Sequence, residues 1–338
     1  MTVAKRRAVT LADVAAKAGV SRSTASRALN HSARISRETT KRIIKLAHEM
    51  GFVPNAQGRA LAVGRTETIA ILVTEPLDEL FADPTYAVYI SGVTEKLGES
   101  SYLPVLLQSS TEFERSRVLQ HMERQAFDAV IDISPYADRT ILEEMHTLAI
   151  PGVLLGQMEN QLYEGAFSIV YSDDTQGARL AAQVMCDRGR RHPVVILGPK
   201  SNPATPDRLK GYRSVYGDSL SEDRVFFTGW DASAGFTAMR RLLERVDKID
   251  GVLAGSDRIA AGVIEALQGL GISVPNDVSV VGFDDHPLAK TVNPPLTTVH
   301  QPLRSEGFMA ADLAMKMIEG EEPVTKVMQM SITMRDSL

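Results

Sequence analysis

The sequence has few of the features that mark secreted or membrane proteins. Its 338 residues include a single cysteine, Cys186, which excludes an internal disulfide framework and fits a reducing compartment. No run of about 18 apolar residues occurs, and no apolar stretch follows the basic start MTVAKRRAVT. We therefore expect neither a signal peptide nor a membrane-spanning segment, and we predict a cytoplasmic protein.

Signatures of catalysis and metal binding are also missing. The sequence has no G-x-x-x-x-G-K-[ST] loop, no G-x-S-x-G elbow and no H-E-x-x-H helix, and Gly269-Leu270-Gly271 stops short of a G-x-G-x-x-G fingerprint. Neither His121 nor His146 has a partner at metal-ligand spacing, and Cys186 fits a small core residue better than a nucleophile. We predict that the protein is not an enzyme, with no catalytic residue, metal or cofactor.

The net charge of -5 conceals two segments of opposite sign. Residues 1–65 contain 13 Lys and Arg against only Asp13, Glu38 and Glu49, a net +10, while the remaining residues carry 24 Lys and Arg against 39 Asp and Glu, a net -15. A basic segment of this size is typical of nucleic-acid binding, and an acidic body repels phosphate. A solvated basic tail is the alternative, and helical patterning has to decide between the two.

The basic segment has the pattern of short helices separated by a tight turn. Thr10 with Asp13 three residues later resembles a capping box, and Gly19 supplies a positive-φ stop, which together predict a first helix over 11–18. The hydroxyl of Ser21 is placed to cap a second helix. These two helices form a helix-turn-helix.

A third helix, starting at Ser36 and stopped by Gly51, has enough apolar residues on one face to cover the first two. The sequence therefore predicts an all-α DNA-binding domain over residues 1–53. Residues 54–66 follow as a hinge helix and linker, in which Gly58 disfavours helix by about 1 kcal/mol relative to Ala. We expect this hinge to be disordered until something docks it.

Beyond the hinge the pattern changes to short apolar runs that alternate with helix-like segments, namely those over 86–99, 112–125, 174–189, 233–245 and 257–270. The runs are TIAILV, LPVLL, DAVIDI, GVLL, SIVY, PVVIL, VFFT, DGVLAG and VSVVGF. Alternating buried strands and helices indicate parallel sheets that are covered on both faces. About ten strands favour a doubly wound α/β core of two lobes over residues 67–338.

Several motifs resemble the lactose/galactose repressor (LacI/GalR) family. In the head they are VTLADVAAKAGVSRSTASRALN and HEMGFVPNAQGRAL, and in the core they are ADPTYA, SDDTQG, DRLKGY, GSDRIAAG, VPNDVSVVGFDD and PPLTTVHQP. Each motif alone is weak, but the combination is specific and spans essentially the whole chain. The resemblance implies a helix-turn-helix head joined to a two-lobed core of the periplasmic-binding-protein type (type I), with a small molecule bound between the lobes.

The resemblance also implies three segments that cross between the lobes, near Ser168, Leu296 and Val324. The amino-terminal lobe then comprises about 67–168 and 297–323, and the carboxyl-terminal lobe about 169–296 and 324–338. The sequence ends without the long heptad tail that makes the lactose repressor tetrameric, so a homodimer is expected.

The second helix should lie in the DNA major groove, where side chains distinguish bases by hydrogen-bond pattern. The resemblance implies that Arg27 brackets a guanine and that Arg22 and Ser23 set operator preference. Solvated charge on a helix face is the alternative for both arginines. Further DNA contacts are expected from Thr24, Ser26 and Asn30 on phosphates, and from Thr10, Ser21, Asn55, Arg59 and Leu61.

Leu61 is an apolar residue at the end of the polar hinge. Such a side chain can wedge between base steps in the minor groove and bend the DNA, and a dimer would do so at the centre of a palindrome. Packing of Leu61 against the core is the alternative. The hinge also has Gly58 and Ala60 where family members usually have Ala and Ser, which puts its stability in doubt more than its role.

Effector contacts are expected where strands end, because ligands of doubly wound lobes bind outside the carboxyl ends of the strands. Asp173, Arg208 and Asp257 each follow a predicted strand and supply donors and acceptors for vicinal hydroxyls. Trp230, the only tryptophan, is placed to stack on a sugar face, and Tyr86 to close the other side. The alternatives are helix N-terminal roles for the aspartates and a core role for Trp230.

Asp284 and Asp285 follow VSVVGF at the same edge, and we expect them to be structural residues that link loops. A sugar or polyol is the favoured effector. A purine or nucleoside sensor is the alternative, disfavoured because Thr85, Asn202 and Ala204 stand where that branch of the family has an aromatic, an arginine and a threonine.

These expectations together predict a dimeric repressor of carbohydrate uptake or metabolism genes that binds a palindromic double-stranded operator. A solute-binding protein for transport shares the core fold, but it needs an export signal and has no use for a basic helix-turn-helix head.

Overall fold

The computed structural model describes residues 9–29, 34–52, 64–133, 139–156, 163 and 165–338. The chain divides into two compact units, one that ends at Thr66 and one that spans Glu67–Leu338. We call the first unit the head and the second the core, and describe each by itself.

The head contains helices α1 (Leu11–Ala18), α2 (Arg22–Leu29) and α3 (Arg37–Glu49). The capping box predicted at the start of α1 is confirmed: the Asp13 N–H donates to the Thr10 hydroxyl at 3.3 Å, and the Thr10 N–H donates to the Asp13 carboxylate at 2.8 Å. Gly19 ends α1 with φ of 65°, a conformation that costs glycine little because it has no Cβ. Sequence signals therefore define this helix at both ends.

Small and aliphatic side chains hold the head together. Val14, Ala28 and Ile43 contribute one buried residue from each helix, and partly buried Leu46 and Phe52 pack against them. The small alanines allow the short helices to approach closely. This packing leaves the polar face of α2 exposed.

The described part of the core contains two six-stranded sheets. The first has strand order β11-β5-β4-β3-β1-β2 with parallel neighbours throughout. The second has order β12-β10-β9-β8-β6-β7, in which only the edge strand β12 is antiparallel to its neighbour. The strands are β1 (Thr68–Val73), β2 (Leu103–Gln108), β3 (Ala129–Asp132), β4 (Gly152–Leu155), β5 (Ser168–Ser172), β6 (Pro193–Leu197), β7 (Val225–Phe227), β8 (Gly251–Ala254), β9 (Ser279–Asp284), β10 (Thr297–His300), β11 (Thr325–Met328) and β12 (Ser331–Thr333).

Helices cover the sheets, and those predicted from the sequence begin and end within a few residues of the observed bounds. The core helices are α4 (Leu77–Ala82), α5 (Pro84–Leu97), α6 (Glu112–Glu123), α7 (Arg139–Thr147), α8 (Asp174–Asp187), α9 (Ala204–Tyr216), α10 (Ala232–Arg245), α11 (Asp257–Gly269) and α12 (Leu303–Ile318), with short 3₁₀ turns at Gly217–Ser219, Glu222–Arg224 and Pro287–Lys290. Among the described residues, no helix is long and apolar enough to cross a membrane.

The central strands of each sheet are buried on both faces, which explains why they are continuously apolar in the sequence, whereas Leu103, Val105 and Leu106 of the edge strand β2 are exposed. Along β1, Ile69 and Ile71 belong to one apolar cluster, and Ala70 and Leu72 belong to the cluster on the opposite face. Successive side chains of a strand point to opposite faces, so a strand that is covered on both sides needs apolar residues at every position. The two-lobed doubly wound core predicted from the sequence is confirmed.

The segments that cross between the sheets lie a few residues beyond their predicted positions. Strand β5 stays in the first sheet to Ser172, β10 stays in the second sheet to His300, and β11 stays in the first sheet to Met328. Residues 169–172 and 325–328 therefore belong with the first sheet, and 297–300 with the second. An apolar run locates a strand, but it does not reveal which sheet the strand joins.

Candidate functional site

A cavity of about 820 Å³ lies in the core where the carboxyl ends of both sets of strands meet. Leu155 and Ser172 contribute from the ends of β4 and β5 in the first sheet, and Pro199 and Asp284 from the ends of β6 and β9 in the second. In doubly wound folds this edge is where ligands bind. The volume is within the range of small-molecule sites.

Arg208, on α9, organises the wall of the cavity nearest the second sheet. Its Nε donates to the Asp174 carboxylate at 2.7 Å, its Nη2 lies 3.6 Å from the Asp284 carboxylate, and its Nη1 donates to the Gly255 carbonyl. The guanidinium is also 3.7 Å from the centre of the Phe283 ring. One buried cation is thus fixed between two carboxylates, which gives the cavity paired donors and acceptors suited to hydroxyl groups.

These buried charges perturb one another. Burial raises the pKa of Asp284 to about 6, although Arg208 opposes the shift, and burial likewise raises the pKa of Asp174. Burial disfavours the charged guanidinium, but Asp174 and Asp284 outweigh this effect, so the pKa of Arg208 is raised. Arg208 therefore remains charged, and the two carboxylates compete for it.

Two aromatic residues line the same cavity. Trp230 lies beside Arg208, with its ring centre 5.6 Å from the guanidinium carbon, and packs directly on Gly198, where an added Cβ would come within 2.2 Å of the indole. Across the cavity, Tyr86 hydrogen-bonds the carboxyl of Glu75. Tyr86 lies near the start of α5 in one lobe and Trp230 in the loop before α10 in the other, so each lobe provides an aromatic ring for a ring-shaped ligand.

The two lobes also contact each other directly at this cavity. The Arg258 guanidinium on α11 lies 3.1 Å from the carboxylate of Asp83, which caps α5. The Thr85 hydroxyl is 3.1 Å from Nε2 of His286. Any ligand that changes the separation of the lobes has to act against these two contacts.

A further carboxyl, Glu306, lines the cavity and was not predicted from the sequence. It lies in the first turn of α12 with no exposed surface, and it accepts hydrogen bonds from the hydroxyls of Ser172 and Tyr89, the latter at 3.2 Å. Burial, aided by the charge of Asp174, raises the pKa of Glu306 to about 7. No sequence signal separates it from an ordinary acidic residue in a first helical turn.

The raised pKa of Glu306 predicts a pH-dependent stability. An acid whose pKa is higher in the folded state stabilises fully below its unfolded value, near 4.5, and this stabilisation is lost as the pH rises through about 7. Glu306→Gln should therefore gain about 2 kcal/mol relative to the parent protein between pH 5 and pH 8. Urea unfolding followed by the fluorescence of Trp230 measures this gain in the core, and the exposed Glu143→Gln is the control. An equal difference between variant and parent at both pH values would contradict it.

The structure places two of the five predicted effector residues outside the cavity lining formed by the described residues. The Asp173 carboxylate caps α8 by accepting from the Gln176 N–H at 2.9 Å, and its neighbour Asp174 takes the place at Arg208. Asp257 is fully buried and accepts from the His286 N–H at 2.7 Å and the Thr298 hydroxyl at 2.5 Å. Arg208, Trp230 and Tyr86 do line the cavity.

The contacts of Asp257 predict a structural role. Asp257→Ala leaves the His286 N–H and the Thr298 hydroxyl without their acceptor, at an expected cost of about 2 to 4 kcal/mol of folding stability. The variant that still folds should bind effector within about threefold of the parent, since no direct contact is lost. Urea unfolding and ligand titration on the same sample test both parts. A variant with normal stability that no longer binds the effector would show that Asp257 contacts the effector directly.

Asp284, the last residue of β9, and Asp285, which follows it, have different surroundings. Asp285 accepts from Arg335 at 2.5 Å and Thr333 at 3.2 Å and lies 3.1 Å from the His300 ring, so it links the carboxyl-terminal segment to β9 and β10. Asp284 lines the cavity beside Arg208 instead of linking loops. Both residues have positive φ angles, 102° at Asp284 and 61° at Asp285, which are uncommon for residues other than glycine.

In the head, α2 presents the side chains that the sequence predicted for base contact. Arg22, Ser23 and Arg27 are exposed, whereas Ala25 and Ala28 of the same helix are buried. The Ser21 hydroxyl accepts from the Thr24 N–H at 3.1 Å, as expected of a helix cap. Asn30, Asn55, Arg59 and Leu61 lie outside the described residues, and the hinge predicted over 54–66 lies mostly outside them.

Comparisons with known proteins agree with this two-unit construction. Residues 10–55 match the family described as bacterial regulatory proteins, lacI family, and residues 182–338 match the periplasmic binding protein-like domain. The HTH-type transcriptional regulator CelR of Thermobifida fusca is 36% identical, over 98% of this chain and 99% of that protein. The ribose operon repressor of Escherichia coli (strain K12) is 29% identical, over 96% of this chain and 97% of the repressor.

Two solved structures superpose on this chain over nearly its whole length. A transcriptional regulator CelR-cellobiose complex superposes with a TM-score of 0.76 at 33% identity, covering 98% of this chain and all of that one. The lac repressor dimer bound to operator and the anti-inducer ONPF superposes with a TM-score of 0.82 at 21% identity, covering 98% of this chain and 99% of that one, which is a likeness of fold. A helix-turn-helix head with a two-lobed binding core defines a ligand-responsive regulator. The chain belongs to the lacI family of bacterial regulatory proteins.

Proposed function

We propose that this protein is a cytoplasmic homodimer that represses carbohydrate uptake or metabolism genes and leaves its operator when a sugar binds in the cavity of the core. The observation that carries the proposal is the group formed by Arg208, Asp174 and Asp284 beside Trp230, where the strand ends of the two sheets meet. Its donors and acceptors fit vicinal hydroxyls and its indole fits a sugar face. We infer that the protein is not an enzyme.

The DNA contacts of the proposal come from α2. Arg27 would bracket a guanine with its planar guanidinium fork, while Arg22 and Ser23 would select neighbouring bases. Thr24, Ser26 and Asn30 would hold phosphates and so fix the register of the helix without reading sequence. Leu61 of the hinge would wedge into the minor groove.

The effector contacts of the proposal differ from the sequence expectation in two places. Arg208, Asp174 and Asp284 would bind hydroxyls, and Trp230 and Tyr86 would face the sugar ring. Asp173 and Asp257 would support the loops that carry these groups. Cellobiose is the first sugar to test, because the CelR relative has been solved in complex with it.

Coupling between sugar and operator follows from linkage. A ligand shifts a protein between two forms only by its difference in affinity for them, and the effect is reciprocal. The Arg258 to Asp83 and Thr85 to His286 contacts hold the lobes at one separation. A sugar that binds across the same cavity would change that separation and, through it, the spacing of the two hinges of a dimer.

A gel shift with genomic fragments, with and without a panel of neutral sugars that includes cellobiose, tests the proposal. The full chain should retard a fragment that contains a palindrome, with an affinity that falls steeply as salt rises, because neutralised phosphates release counterions. Cellobiose or another sugar of the panel should release the fragment. If the core alone, Glu67–Leu338, retarded the fragment as well as the full chain, the DNA-binding role of the head would be wrong.

A further inference from the structure

The cavity is rich in carboxylates and poor in free cations. Its lining residues include seven acids, namely Glu75, Glu79, Asp83, Asp174, Asp231, Asp284 and Glu306, but only two bases, Arg208 and Arg258. Both bases are paired already, Arg208 with two of the acids and Arg258 with Asp83. Within the described part of the lining, carboxylates are therefore in excess over guanidinium groups.

Two further basic side chains of the described core, His286 and Lys200, lie next to lining residues and do not reverse this balance. Nδ1 of His286 is 4.0 Å from the carboxylate of Asp284, and acids still outnumber bases when His286 is counted. Lys200 stands between two lining residues, but its ammonium lies over the Phe227 ring at 4.5 Å from the centre. The core stretches outside the described residues, 134–138, 157–162 and 164, contain no Lys, Arg or His in the sequence. The excess of negative charge thus does not depend on what those stretches do.

Helix N-termini bind phosphate in many α/β proteins, and at three helix starts of this cavity one backbone N–H already donates to a side chain. Asp83 caps α5, accepting from the Thr85 N–H at 3.0 Å, and Asp231 caps α10, accepting from the Ala234 N–H at 3.0 Å. Asn202 accepts at the start of α9, from the Ala204 N–H at 3.0 Å. These backbone donors are therefore not available to an anionic ligand.

From this arrangement we infer that the cavity selects its effector by charge, accepting uncharged sugars and rejecting sugars that carry a carboxylate or a phosphate. The inference rests on the proposed function, since it specifies the class of sugar that the same site takes. An added anion would share the cavity with the carboxyls of Glu75, Glu79 and Glu306, none of which has a basic partner among the described residues. Like charges a few ångströms apart repel strongly where water is partly excluded.

The ionisation of the acids in the cavity supports this inference. Burial raises the pKa of Glu306 to about 7 and that of Asp284 to about 6, and the charges of Glu79 and Asp83 add to the effect of burial in raising the pKa of Glu75. At pH 7.5, which is above both of the values for Asp284 and Glu306, these two acids are mainly ionised and repel an added anion. An anionic sugar would add to the negative charge of the cavity, whereas the hydroxyls of a neutral sugar can donate hydrogen bonds to the carboxylates.

The test compares sugars that differ in one charge. Calorimetry with the full chain would compare cellobiitol with cellobionate, which have the same opened ring but end in a hydroxymethyl and a carboxylate group, and glucitol with gluconate. In whichever pair binds, we expect the sugar acid to bind at least tenfold more weakly than the matching sugar alcohol at pH 7.5. This difference in affinity should become smaller as the salt concentration is raised, because salt screens the repulsion.

Variants assign the discrimination to the cavity. Glu79→Gln removes the charge of one exposed lining residue and should reduce the difference in affinity between sugar acid and sugar alcohol. Glu143 is an exposed glutamate outside the lining, so Glu143→Gln should leave that difference unchanged. Equal binding of acid and alcohol, or tighter binding of the acid, would overturn the charge inference alone. If cellobiose and every neutral member of the panel failed to bind, the sugar-sensing function would fail and this inference with it.

Discussion

Arg208→Ala is expected to abolish the response to sugar and to destabilise the core by about 3 to 5 kcal/mol. The guanidinium is buried between Asp174 and Asp284, at 2.7 Å and 3.6 Å, so its removal leaves two buried carboxylates without their counter-ion. It also removes donors proposed for the sugar hydroxyls. Urea unfolding followed by Trp230 fluorescence measures the first effect, and calorimetry with cellobiose the second.

The same helix offers a matched control. Arg213 on α9 pairs with Glu222 at the same 2.7 Å, but its side chain is 39% exposed and that of Glu222 85%, against 6% and 9% for Arg208 and Asp174. Arg213→Ala should cost less than about 1 kcal/mol, because solvent screens an exposed pair. Arg208→Lys keeps a charge without the fork, and should recover stability more than sugar affinity. Similar losses in the two alanine variants would contradict a special role for Arg208.

Arg27→Ala is expected to remove discrimination at one base pair in each half-site, at a cost of about 1 to 3 kcal/mol per half-site. Arg27 is exposed on α2, while Ala25 and Ala28 anchor the helix in the head, so the substitution should not unfold it. Fluorescence anisotropy with the palindrome and with single-base variants of it measures the effect.

Arg42, an exposed arginine of α3, is the control for charge alone. Arg42→Ala should weaken binding to all DNA sequences alike and leave the preference for the palindrome intact. If Arg27→Ala weakened binding to every variant of the palindrome by the same factor, Arg27 would contact only phosphate.

Local signals in the sequence predicted the ends of several helices and nine of the twelve strands in the described part of the chain. The capping box of Thr10 and Asp13 and the positive φ of Gly19 depend on neighbours within one turn, so the sequence contains all the information they need. The continuously apolar strands predicted a covered parallel sheet for the same reason. Arg208 was predicted as part of the site because it follows a strand, and the structure places it in the cavity.

The sequence did not resolve which of several acids face the cavity. Asp173 and Asp174 are adjacent, and only the geometry of the helix start decides that the first caps α8 and the second pairs with Arg208. Asp257 follows a strand as predicted, but its carboxylate is buried because it accepts hydrogen bonds from the His286 N–H and the Thr298 hydroxyl, which are distant in the sequence. Glu306 lines the cavity because the chain crosses back to the first sheet before α12. No residues near Glu306 in the sequence indicate this crossing.

Operator binding by the full chain, measured by anisotropy at fixed salt across a titration with cellobiose and the neutral sugars of the panel, tests most directly whether one protein couples a sugar to DNA. We predict that the parent protein binds a palindromic fragment and that one of these sugars lowers its affinity at least tenfold, whereas Arg208→Ala, assayed where it is folded, binds the fragment without responding to that sugar. An operator affinity that no sugar changes, or a sugar response that persists unaltered in Arg208→Ala, would contradict the account.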